Sequence, residues 1–339
     1  MKQWFAAGVV TAAIVAFTMD APTAQQGSSA PASARSAAAA AYVPPRTPWG
    51  DPDLQGGWTN VNENGIPLQR PDALTGKSVD EVDDSELAEL VKSRNAAASA
   101  SAAAIGGRET GAGPTHWYEH YGARNSRAWM VSDPPDGRIP PLTAAAQQRA
   151  AGRLGGRGRG AGAGEGGRAD SWLDRSFYDR CITRGFPGSM TPAIYGNAYD
   201  ITQSPGLVAI RYEMIHETRV IRLDNSPRTG LPSHMGDARG RWDGNTLVVE
   251  TTNFDPRTVY QNATAKLTMT ERYRPVAKDK IEWTVTLSDP DTWARPWTYG
   301  MTLTADAEQP LFEYACHEGN YAMRNILSAA RADEARAAK

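Results

Sequence analysis

Residues 236–254, GDARGRWDGNTLVVETTNF, constrain the fold more than any other part of the chain. Asp243-Gly244-Asn245 separates two runs of strand character, and Gly and Asn tolerate the positive φ that a tight hairpin turn demands. In the second run Leu247, Val249 and Thr251 share one face while Val248, Glu250 and Thr252 share the other, the two-residue period of a strand. Similar runs flank this hairpin, and strands are expected near 198–203, 206–214, 217–223, 246–253, 265–274, 280–288, 297–304 and 310–316, with a short one at Trp58. Ser204-Pro205-Gly206, Lys278-Asp279 and Asp306-Ala307-Glu308 supply turns between them. The pattern predicts a mainly β protein, an antiparallel meander of about nine strands closing into a barrel, because closure removes the unpaired edges of a long meander.

Before residue 195 the chain reads differently. Residues 80–94 (DEVDDSELAELVKSR) place acids first, bases last and Leu87, Leu90 and Val91 at helical spacing, which predicts a short amphipathic helix. A second helix is expected from Leu142-Thr143, after the proline-stiffened 138–142 segment. Residues 170–185 carry Trp, Phe and Tyr among charges and read as a helix or an irregular cap on the β-region. The aromatic cluster at 116–121 returns the chain to the body, whereas 96–113 and 152–168 are low-complexity insertions without apolar periodicity.

Lys2, an apolar run of about 16 residues and small residues at Ala21, Thr23 and Ala24 have the layout of a cleaved secretory signal, shorter than the ~20 residues of a membrane span. The expected organisation is a signal peptide at 1–24, a disordered Ala/Ser/Pro linker at 25–47, a single β-barrel domain at 48–330 and a tail at 331–339. This places the protein in the periplasm or outside the cell, with no membrane anchor after cleavage. Export permits a bridge between the two cysteines, Cys181 and Cys316; two buried free thiols are the other reading. A formal charge of −2 gives no nucleic-acid footprint, and the Arg/Gly run at 152–167 reads as a loop.

Gly56-Gly57-Trp58 resembles the Gly-x-Trp signature that opens lipocalin-type barrels, and Gly240-Arg241-Trp242 repeats its form. The segments PWGDPDLQGGWTN, DRCITRGFP, EMIHETRVIRLD, MGDARGRWDGNTLVVETTNF, DTWARPWT and YACHEGNYAMRNIL resemble a family of exported bacterial proteins common in acidobacteria. The resemblance implies a secreted, β-rich, lipocalin-like domain and carries no reaction with it.

Of five histidines, His216, His234 and His317 lie in polar clusters where strands give way to connections, so strand ends at one barrel mouth would bring them together. Independent hydrogen-bonded loop histidines, acid–base catalysis and a three-histidine divalent metal site all fit that placement. No other cofactor is indicated. Strand alternation puts Glu271 on a face with Leu267, Met269 and Tyr273, and Asp289 on one with Ile281, Trp283, Val285 and Leu287. A carboxylate inside a barrel needs a partner such as Arg211 or Arg295, or a functional cavity. Trp293, Arg295 and Trp297, beside Asp289, would offer a flat apolar surface with one charge, suited to a sugar ring, a sterol or an aromatic acid. Glu313, His317, Glu318 and Tyr321 add an acid, a base and a phenol in one short segment.

Two functions fit these residues. One is a barrel enzyme (a lyase, isomerase, hydratase or hydrolase) in which His216, His234, His317, Glu271, Asp289 and Tyr321 handle protons on a small apolar, aromatic or glycosidic substrate held by Trp293, Arg295, Trp297 and Glu318. The other is a lipocalin-like carrier that binds such a molecule without chemistry.

Overall fold

The computed structural model describes residues 42–105, 125–155, 169–193, 195–224, 226–258, 260–306 and 311–338. Ten strands form the sheet: β1 (Gly56–Thr59), β2 (Val131–Asp133), β3 (Ala198–Ser204), β4 (Leu207–Tyr212), β5 (Thr218–Arg222), β6 (Asp237–Asp243), β7 (Thr246–Thr252), β8 (Thr268–Ala277), β9 (Lys280–Ser288) and β10 (Trp297–Ala305). Order along the sheet is β1-β3-β4-β5-β6-β7-β8-β9-β10, and β1 pairs again with β10, so nine strands close a barrel. β2 pairs with the start of β10, beside β1.

The hairpin of β6 and β7 sits within that wall, with Asp243 opposite Thr246 and Gly244 at positive φ in the turn between them. One junction departs from the expected antiparallel meander. β5 and β6 are parallel, joined by only two Cα pairs, Ile221–Ala238 and Arg222–Arg239. The chain leaves β5 at one end and returns through 223–236 to enter β6 at the other end. A loop therefore makes the crossover that a helix makes in most parallel pairs.

Alternation sorts side chains between the interior and the outer wall. Leu247, Val249 and Thr251 face inward, registered against Tyr273, Glu271 and Met269 of β8. Trp283, Trp297, Tyr212, Tyr273 and Tyr299 are among the largest fully buried side chains. These fill the interior, as small barrels are filled, so the lipocalin-like expectation holds for the closed wall and not for an open calyx.

α1 (Asp84–Ile105) is nucleated by Asp83, whose Oδ1 accepts from the Ser85 and Glu86 amides, and it buries Leu87 and Val91 one turn apart. α2 (Ala144–Gly155) is capped by Thr143, whose hydroxyl accepts from the Ala146 amide. A third helix, α3 (Ala322–Ala337), occupies a stretch read as domain end and tail. Its half-buried Met323, Ile326, Leu327 and Ala330 lie on one stripe, a helical period that the expectation for this stretch did not include.

The strand expected at 310–316 is absent where the chain is described: residues 311–315 have no regular structure and 316–319 form a turn. Order starts before residue 48, because Arg46 bridges Pro52 and Thr47 is buried. Residues 96–105, expected as part of an insertion, belong to α1. The expectations for 1–41, 106–124 (including the 116–121 aromatic cluster) and 156–168 fall outside the described residues.

Candidate functional site

β4, β7 and β9 end, and β5, β6, β8 and β10 begin, at one rim of the barrel. The 169–193 segment folds over that rim as turns and short 3₁₀ pieces, including Trp172–Asp174 and Gly188–Met190. Thr183 donates to Glu217, while the Met190 carbonyl accepts from Asn60 Nδ2 at 2.7 Å and from the Tyr199 hydroxyl at 3.2 Å. Cys181 is disulfide-bonded to Cys316 across a sequence separation of 135, which ties this cap to the segment before α3.

Backbone strain collects at the same end. Among the described residues, the non-glycine positions at positive φ are Cys181, Ile215, His216, Asn253 and Gln261, all in the cap or in rim connections. A β-branched residue such as Ile215 at φ 60 is an outlier, and each such position costs about 1–3 kcal/mol that surrounding packing must offset.

Beneath the cap lies a buried polar layer. Arg219 projects inward from β5 and is 2% exposed; Glu271 projects inward from β8 and is 0% exposed. Arg219 Nη2 donates to Glu271 Oε2 at 2.5 Å and to Thr251 Oγ1 at 2.5 Å. Glu271 Oε1 accepts from the Tyr273 hydroxyl at 2.7 Å and from Trp283 Nε1 at 3.1 Å. Phe186 reaches down from the cap with its ring 3.9 Å from Arg219 Cζ. Burial pulls the Arg219 pKa down, but Glu271 and Tyr212 outweigh it, so the guanidinium stays protonated. Burial also pushes the Tyr212 and Tyr273 phenols up, and both remain neutral donors.

The layer is incompletely satisfied. Nε and Nη1 of Arg219, the Tyr212 and Tyr299 hydroxyls and Trp297 Nε1 are buried without a well-formed hydrogen bond. Arg219 lies close enough to Tyr212 to temper the effect of burial on that phenol, yet the contact falls short of hydrogen-bond geometry. Among the described residues both Glu271 oxygens are already engaged, by Arg219 on one side and by Tyr273 and Trp283 on the other.

The residues singled out in the sequence are distributed differently. Glu271 faces the interior as alternation requires, but its partner is Arg219. Arg211 pairs with Asp200 at 3.8 Å and Arg295 with Asp133 at 2.6 Å, both on the outside. The signal for Arg219 was its spacing from Ile221 in Thr218-Arg219-Val220-Ile221, which puts it on the inward face.

Asp289 is buried, but it leaves the barrel's inner face. It accepts from Asp291 and Thr292 within the β9–β10 connection and from Thr264 in the connection leading into β8. Trp293 and Trp297 pack edge to face at 5.6 Å inside the protein while Arg295 points out, so the three do not form one open surface.

His216, His234 and His317 all belong to the capped end. His216 is exposed, with Nδ1 3.2 Å from the Tyr314 carbonyl, and His317 is exposed next to the disulfide. His234 is partly buried, its Nδ1 3.7 Å from Asp255 Oδ2 and its ring 4.8 Å from Phe177. Burial lowers its pKa below the ordinary imidazole value, against the opposing pull of Asp255. Glu318 is exposed, and Tyr321 is 64% exposed at the start of α3. Among the described residues, no three His, Cys, Asp or Glu side chains are grouped to hold a metal ion.

No family model matches this sequence, and neither does any curated protein.

Proposed function

We propose that this is an exported small-molecule-binding barrel whose site is the polar layer around Arg219, reached beneath the 169–193 cap. The observation that carries the reading is a fully buried, protonated guanidinium with Nε and Nη1 unmatched, in a layer where every carboxylate oxygen is taken. Leaving such donors without acceptors costs about 1–3 kcal/mol each, and a ligand oxygen offsets that cost. The interior is filled, so a ligand enters by displacing the cap rather than by dropping into an open cup. Phe186 lies between Gly185, at φ 73, and the Pro187-Gly188 pair. The disulfide is consistent with the periplasmic or secreted location proposed here, and the quoted segments are why we place the chain with the exported acidobacterial-type proteins. Native mass spectrometry of the protein recovered from its exporting host tests the function. A retained organic mass that leaves on denaturation is expected; only the bare chain, in repeated preparations and under conditions that preserve folding, would end the carrier reading.

His234 and Asp255 favour a second reading, acid–base catalysis at the rim, because the Asp255 carboxylate at 3.7 Å and the Thr258 hydroxyl at 3.5 Å both lie at Nδ1 and leave the other ring nitrogen for proton transfer. Under that reading His234→Ala lowers turnover by ~10²–10⁴-fold on any substrate found. An unchanged rate in a folded variant would remove it.

A further inference from the structure

Three further side-chain clusters lie at the capped end. They are the Trp172–Arg180–Phe177 stack on the outer cap, the three phenols Tyr178, Tyr195 and Tyr314 beside the disulfide, and the Phe186–Arg219 contact under the cap. The first is a cation–π ladder of which only Trp172 is exposed, and the second is a set of phenols bonded to one another. The third joins a removable aromatic ring to unmatched buried donors.

We propose that the ligand is a neutral planar aromatic compound bearing a carbonyl oxygen, and that Phe186 occupies the place its ring takes. This rests on the binding reading and narrows it. Phe186 is 1% exposed, yet it comes from the cap and not from the barrel wall. Arg219 Cζ lies over its ring, 3.9 Å from the centroid, a contact that any aromatic ring of similar size can make. Exchanging one ring for another at that place keeps the cation–π contact and brings a carbonyl on the new ring toward the Tyr212 hydroxyl, a buried group beside Arg219 without a well-formed hydrogen bond.

The preference for a carbonyl over a carboxylate follows from charge. Glu271 already neutralises Arg219, Tyr212 and Tyr273 are uncharged, and the Glu217 carboxyl near Tyr212 leaves no cation to spare for another anion. A second carboxylate would leave one buried charge without a counter-ion, whereas a carbonyl oxygen accepts hydrogen bonds without that penalty. Trp297 and Tyr299, stacked at 5.5 Å, supply further aromatic surface within the same interior.

Calorimetric titration of benzamide, benzoate and toluene into the full chain and into Phe186→Ala tests the ligand class. The variant is expected to bind benzamide about tenfold tighter than the wild-type chain does, and about tenfold tighter than it binds toluene or benzoate. Toluene equal to benzamide would reveal a plain apolar cavity, and benzoate ahead of benzamide would reverse the charge argument; either overturns the proposal. Both results leave the carrier reading to be decided by the native mass spectrum. Should Phe186→Ala not fold, ¹⁵N-arginine labelling of the wild-type chain serves instead. The Nε–H signal with contacts to the Phe186 ring is expected to move on adding benzamide and to stay put with toluene. An unmoved signal at millimolar benzamide overturns the inference.

Discussion

Replacing Glu271 by alanine leaves the Arg219 guanidinium buried without its counter-charge, and a loss of about 3–5 kcal/mol in folding stability is expected. Replacing both residues by apolar side chains of similar size should cost far less, because the desolvation of two charges disappears with the pair. Urea titration of the single and double variants checks this; a double variant as unstable as the single one would mean that Arg219 and Glu271 hold the barrel by something other than their charges. His234 offers a second residue-level test. Its pKa is depressed by burial, so the folded state favours the neutral ring. The sign then follows: its contribution to stability is present above the ordinary imidazole value and is lost as pH falls through the lower folded value. An NMR titration should place its midpoint below ~6.5, and Asp255→Asn should move it lower still, since Asp255 is the charge that opposes burial. A rise in the variant would contradict the assignment.

At the scale of the element, the β5–β6 seam is the weak joint. Two Cα pairs hold it, whereas the β8–β9 ladder runs along almost the whole of both strands. Hydrogen exchange is expected to open amides of β5 and the first half of β6 well before those of β8 and β9. Uniform protection around the barrel would refute that. Gly240 shows how closely the seam is packed: a Cβ there would lie 2.7 Å from Leu223 Cδ2 and 2.8 Å from Ile221 Cγ2. Gly240→Val is accordingly predicted to lose about 1–3 kcal/mol by overpacking, read as a lower urea midpoint. The hairpin beside it was legible because its turn and alternation are local. Its parallel partner was not, because nothing local in Thr218–Arg222 says which strand will lie alongside.

For the whole molecule, the Cys181–Cys316 bridge closes a loop of 135 residues that encloses most of the barrel. Chain-entropy reasoning gives such a loop about 5 kcal/mol, an upper figure since measured gains are often smaller. Cys181→Ser is expected to lower the denaturation midpoint and to speed proteolysis of the cap before that of the barrel strands. Non-reducing peptide mapping should recover the linked pair, and two free thiols in the purified protein would contradict the bridge. The same bridge holds the cap against the rim, so stability of the fold and access to the Arg219 layer are coupled through one covalent bond.

By itself the sequence determined what depends on near neighbours. Turn residues and two-residue alternation marked most of the strands; the closed wall followed from the need to pair their edges, and the inward direction of Glu271 from its spacing to Met269 and Tyr273. Tertiary structure alone decided the rest. Arg219 meets Glu271 across two intervening strands, β6 and β7, and Phe186 meets Arg219 through a cap that carries no period to read. Trp293, Arg295 and Asp289 left the expected arrangement because alternation ends with the ladder, at Ser288, and a connection sends each side chain where its own hydrogen bonds and packing allow. Alternation tells which wall a side chain faces; register and closure tell what stands opposite, and those depend on contacts between segments far apart in the chain.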